Sequence, residues 1–259
     1  MSYWKDRMSA SMNAVTARRH REIEKQIKKY YQSLARKVID EYESIYNELL
    51  LKKALNENIS PATLYQMDKY WTMQAQLRKR LNKTGSHLTS LFTKLFELTY
   101  KDSYNSINIK GLEAFNTIDD QAISTFINSV WAADGKSWSD RVWNNTELLG
   151  ETLNQELIHC VVSGKKTSDL KKLLQDRFDV SYNRANTLAR TELAHIQTEA
   201  AKQRYKDYGL DEVEIWADPD ERTCEVCGKL HKKKYPVGAL VPIPAHPNCR
   251  CCIIPIIKD

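Results

Sequence analysis

No stretch of this sequence approaches the eighteen or so uninterrupted apolar residues that a membrane-spanning helix needs, and the N-terminus, MSYWKDRMSA, lacks the apolar core of a secretory signal. A chain with neither is expected to stay on the cytosolic side of any export machinery. Glycine is scarce, at 8 of 259 residues, while 28% of the residues are charged and 42% hydrophobic. That balance favours helices with wide solvated faces over a compact sheet enzyme. Proline is nearly missing from most of the chain: between Tyr3 and Tyr208 only Pro61 occurs. Cysteine is equally sparse there, and Cys160, in LIHCVV, reads as a small buried apolar residue.

Charge of one sign is also lacking. Lys and Arg number 39 against 33 Asp and Glu, a formal net charge of +6 that permits contact with nucleic acid without demanding it. RRHREIEKQIKK interleaves acids with bases and reads as a solvated helix face carrying i,i+4 pairs rather than a DNA-binding stripe. The densest purely basic patch is Lys232, Lys233 and Lys234, which would contact DNA weakly, through phosphates and without sequence preference.

Helical periodicity fills the proline-poor part. Ile27, Tyr31, Leu34, Val38, Ile45 and Leu49 form a near-heptad stripe, which predicts a long first helix that must be buried on later helices or on another subunit. Ser60 and Pro61 predict the N-cap and first turn of a second helix, with Gly85 breaking it and a third helix following. Thr117 with Asp120 resembles a capping box before a helix that Asp134 and Gly135 end. A helix from Trp138 to Gly164, a short one capped by Thr167 or Ser168, and a last one ending at Gly209 complete the series. Trp71, Phe92, Phe96 and Trp143 are expected in the core, and His195 as a packed or surface residue.

After Gly209 come six of the seven prolines, five of the six cysteines and VEIW, Val213–Trp216, a strand candidate. Cys224, Cys227, His246 and Cys249 form the pattern C-x2-C-x18-H-x2-C, in which two matched two-residue gaps let four donors converge on one ion. In a reducing compartment this spacing points to a structural Zn²⁺ site, not to disulfides. Cys251 competes with Cys249 for the fourth position, because alternation along an extended segment puts both sulfurs on one side. His231, flanked by lysines, is expected at the surface, and Cys252 is surplus. The fold class expected is therefore mainly α: an elongated helical N-terminal region, then a helical domain closed by a small α+β zinc-bound element.

Leu188-Ala189-Arg190-Thr191-Glu192, Gly209, Trp216, Asp218 and Asp220-Glu221-Arg222-Thr223-Cys224, and His246-Pro247-Asn248-Cys249-Arg250-Cys251 follow one another in the order that resembles the phage Mu F-like minor head proteins. The resemblance covers roughly Ser137 to Ile254, which divides the chain into a helical region 1–136 and a head morphogenesis domain 137–259 with its zinc element at about 210–254. It implies a virion protein in low copy, associated with the portal and other head components at the portal vertex, acting in head morphogenesis and DNA packaging or ejection. It implies no enzyme. Arg190 and Glu192, two apart on a helix, do not face each other, so Glu192 is expected to seek Arg250 or Arg222 and clamp the last helix to the zinc element. The alternative class is a metal-dependent nuclease with His246 as base or catalytic-metal ligand, and a weaker one is a plain DNA-binding protein with a zinc knuckle.

Overall fold

The computed structural model describes residues 2–55, 59–109, 111–112, 119–217 and 220–257, with residues 2–4 as backbone only. Thr117 and Asp218 lie outside the described residues. The order of elements is α1 (Ser2–Ala54), α2 (Pro61–Tyr65), α3 (Asp68–Ser106), α4 (Asp120–Ile127), α5 (Trp138–Ser163), α6 (Thr167–Asp207), β1 (Glu212–Trp216), α7 (Glu225–Leu230), β2 (Lys234–Pro236) and β3 (Cys252–Pro255). The fold is mainly helical with one small sheet near the C-terminus, as the composition and periodicity imply. No described helix is long and apolar enough to cross a membrane.

The chain forms two compact units: Lys25–Ser90 with Ser139–Asn186, and Met1–Glu24 with Leu91–Trp138 and Thr187–Asp259. In the first, the stripe Ile27, Tyr31, Leu34, Val38, Ile45 and Leu49 is buried by the chain itself. Tyr31 meets the Ser181 hydroxyl at 3.1 Å, and the Tyr46 hydroxyl lies 2.9 Å from the carbonyl of Cys160. Arg80 forks onto both oxygens of Glu41 at 2.5 and 2.6 Å.

Several local expectations are corrected here. Gly85 does not break a helix; α3 runs through it, because a side chain there would place its Cβ 2.4 Å from the ring of Trp143. Glycine at this position serves close packing, not chain reversal. The second helix stops after one turn at Tyr65 and restarts at Asp68, so Ser60 caps only the short α2. Asp119 caps α4 by accepting from the Gln121 N–H at 2.9 Å, and α4 ends at Ile127, well before Gly135. The two last helices are one, α6, which opens after Lys166, whose N–H is held by the Asp169 carboxylate at 3.2 Å. Phe92 and Phe96 are buried, but Trp71 is 55% and Trp143 39% exposed.

In the second unit, β1 pairs antiparallel with both β2 and β3 in the order β2-β1-β3. Gly209 makes the entry possible. At φ +70° it ends α6 with its N–H on the Lys206 carbonyl and the Leu210 N–H on that of Tyr205, the paired bonds of a glycine-terminated helix. The buried face of the sheet, with Val213, Ile215 and Ile253, packs with Met12, Ala201 and Tyr205. The Tyr205 hydroxyl donates to the carbonyl of Ile253 at 3.1 Å, tying α6 to β3.

Candidate metal centre

Two loops carry the donors. Cys224 is the N-cap of α7, its sulfur accepting from the Cys227 N–H at 3.4 Å, so a single helical turn turns both sulfurs of the first pair inward. The second loop reverses at Asn248, whose φ of +62° is a conformation asparagine tolerates better than most side chains. It returns the chain through Cys249, Arg250 and Cys251 into β3.

The structure brings all five predicted donors together. Cys224, Cys227 and His246 form one group able to hold an ion, and Cys227, Cys249 and Cys251 form a second that shares the buried Cys227. His246 Nε2 lies 3.2 Å from the Cys224 sulfur and 3.1 Å from that of Cys227, and the sulfurs of Cys227 and Cys249 are 3.7 Å apart. A tetrahedral ion with metal–sulfur bonds of about 2.3 Å requires sulfurs about 3.8 Å apart, so the Cys227–Cys249 edge fits zinc without rearrangement. The other ring nitrogen of His246, Nδ1, is 2.8 Å from the carbonyl of Pro247. Orienting a ligating imidazole through its second nitrogen is the usual outer support of such sites.

The thiols are electrostatically unlike. A hydrogen bond from Cys251 pulls Cys249 down to about 5, and the same bond drives Cys251 up. Burial pushes Cys227 up to about 12, whereas the backbone N–H of Cys227 lowers Cys224. The Pro247 carbonyl raises His246.

The remaining predicted residues fall outside this group. Cys252 lies in β3 opposite Trp216, its thiol turned to the Ser9 hydroxyl at 3.4 Å. His231 accepts from the Ala217 N–H at 3.2 Å and sets its ring edge-on to Trp216. His195 is buried and stacked on Trp131 with centroids 4.2 Å apart, and burial holds it down to about 4, a neutral packed histidine. Cys160 is fully buried. Lys232, Lys233 and Lys234 are exposed, Lys232 with φ +64°.

Around the centre the partners are these. Arg250 forks onto Asp220 at 2.6 and 2.8 Å, Arg222 reaches the same carboxylate at 3.1 Å, and Glu192 accepts from the Trp131 indole N–H at 2.9 Å. Arg190 faces a pocket beside the Cys249–Cys251 segment. The link from α6 to the second loop runs through Thr191, whose hydroxyl accepts from the Asn248 N–H at 3.1 Å and donates to the Thr187 carbonyl at 2.8 Å. Asp220 and Thr191 appear in the motifs of the sequence but carry no expected role there. The available signal for Asp220 was its position before Arg222 and Thr223: its side chain accepts from the Arg222 N–H, an Asx turn that leads into Cys224.

No curated protein and no solved structure matches the chain. One family model does, that described as Phage Mu protein F like protein, over residues 151–254, a span that holds the second half of α5, all of α6, the sheet up to Ile254 and every candidate metal donor. Over residues 151–254 this chain is therefore similar to the Phage Mu protein F like family.

Proposed function

We propose that the protein is a minor component of a phage head, in low copy and associated with the portal, acting in head morphogenesis and in DNA packaging or ejection. The family match over residues 151–254 carries this reading. In it, 137–259 is the shared head domain and 1–136 the part particular to this chain. The element at about 210–254 is held by one structural Zn²⁺ on Cys224, Cys227, His246 and either Cys249 or Cys251, both of which lie beside Cys227. The expected clamp of Glu192 onto Arg250 or Arg222 is replaced by Thr191, which ties the second loop to α6, and by Asp220, which holds Arg250; Lys232 to Lys234 give weak, salt-sensitive contact with DNA.

The nuclease reading is disfavoured by His246. Its Nε2 is enclosed by two sulfurs and its Nδ1 is engaged by a carbonyl, which leaves neither nitrogen for activating a water. Plasmid DNA incubated with Mg²⁺, Mn²⁺ or Zn²⁺ should stay intact. Cleavage abolished by His246→Ala in a folded variant would establish the nuclease instead.

The role itself is tested by assembly. The protein should co-purify with the portal protein of the same phage and be found in mature heads by mass spectrometry. Its absence from purified heads would refute the proposal. Because α1 supplies core residues to the chain, truncating it is not a clean test; surface variants of the full chain are needed.

A further inference from the structure

Beside the metal centre lies a pocket of about 240 Å³ whose walls come from three segments of one unit: residues 13–21 of α1, 190–197 of α6, and Cys249–Cys251. On each helix the lining residues recur at helical spacing, so each helix presents a single face to it. No lining residue is acidic, while Arg21, Arg190, Arg250 and His20 all contribute. The local arginines differ in how they are satisfied. Arg18 and Arg19 share Asp102, and Arg250 is held by Asp220, but Arg21 and Arg190 have no ion-pair partner among the described residues.

An independent observation shows what is missing. Gln197 is only 4% exposed, lines the same pocket, and its side-chain N–H2 has no hydrogen-bond partner. A buried donor left without an acceptor is destabilising unless something supplies one. Two unpaired guanidinium groups and an orphan amide N–H2 together form a set of donors with no acceptor.

We propose that this pocket binds a phosphate group, with Arg21 and Arg190 donating to its oxygens and Gln197 donating from the buried end. The volume exceeds that of a bare phosphate ion, so the group is held with room for an ester substituent. It can come from free phosphate and small phosphate esters or from a polynucleotide backbone.

Calorimetric titration of the full-length, metal-loaded protein with inorganic phosphate, against chloride at matched ionic strength, tests the site. Saturable binding is expected, weakened roughly tenfold by Arg190→Gln and by Arg21→Gln, the effect of losing one charge-assisted hydrogen bond. Gln197→Leu should weaken phosphate binding while raising the melting temperature of the ligand-free protein, because it removes the orphan donor. Zinc content of every variant should equal that of the parent. A short oligothymidylate distinguishes the sources: binding tighter than that of phosphate and lost in the same variants assigns the site to a DNA backbone, and oligonucleotide binding indifferent to Arg190→Gln assigns it to small phosphates. Absence of saturable phosphate binding, or variants that bind phosphate like the parent, overturns the proposal. Loss of zinc from Arg190→Gln with phosphate binding intact does so too, showing the arginine to be a counterion of the thiolates.

Discussion

Asp220 receives the guanidinium of Arg250 on both carboxylate oxygens, at 2.6 and 2.8 Å, and so joins the approach to the first cysteine pair to the segment between Cys249 and Cys251. The hydrogen bonds from Arg250, then from Arg222, hold the Asp220 carboxyl well below the usual carboxylate range. A depressed carboxyl contributes stability that is complete above its unfolded value of about 3.9 and is lost as pH falls through the folded one. Asp220→Asn should thus lower the melting temperature by a constant amount between about pH 5 and 8, and the gap to the parent should close below about pH 4. A gap that widens in acid would show that the pair is not the source.

Metal analysis of protein purified under reducing conditions should give about one zinc per chain. Cys224→Ser and Cys227→Ser should lose it, and Cys252→Ser, whose thiol faces Ser9, should keep it. Of Cys249→Ser and Cys251→Ser, one should release the metal and the other retain it, and the one that releases it identifies the fourth ligand. Chelation should alter Trp216 fluorescence while leaving most far-UV helix signal, since the metal's binding energy is folding energy for the small element alone.

Gly85→Ala offers a test of sign. In an exposed helix the exchange would stabilise by about 1 kcal/mol. Here the new methyl would meet three ring atoms of Trp143 at 2.4 to 2.8 Å, so a net loss of about 1–3 kcal/mol is expected. Trp143→Ala in the same chain should restore the helix-propensity gain. Denaturant melts of the four proteins in that cycle measure the coupling.

Thr191→Val keeps the shape of the side chain but removes the acceptor for the Asn248 N–H. We expect a loss of about 1 kcal/mol and faster zinc release to a chelating dye, with Thr191→Ser restoring both. Release unchanged in the valine variant would mean that the second loop holds its own geometry.

The sequence by itself determined whatever depends on spacing along the chain. The near-heptad stripe of α1 needed only the helical repeat, and the α6 terminus needed only a residue able to adopt φ +70° at Gly209. The x2 gap of the first pair was likewise sufficient to bring Cys224 and Cys227 into one donor group, because a single helical turn turns both the same way. What it did not determine is who meets whom across long separations. Gly85 read as a breaker because its meaning lies in Trp143, fifty-eight residues on in the numbering of the chain. Trp71 and Trp143 read as core because an aromatic on a helix carries no mark of the face it will expose. The partner of Arg250 could be any acid until folding brought Asp220 within 2.6 Å, and the unsatisfied amide of Gln197 exists only where α1, α6 and the last cysteine loop enclose it. Local backbone chemistry is written residue by residue, whereas burial and charge pairing are properties of surfaces that only the assembled tertiary structure creates.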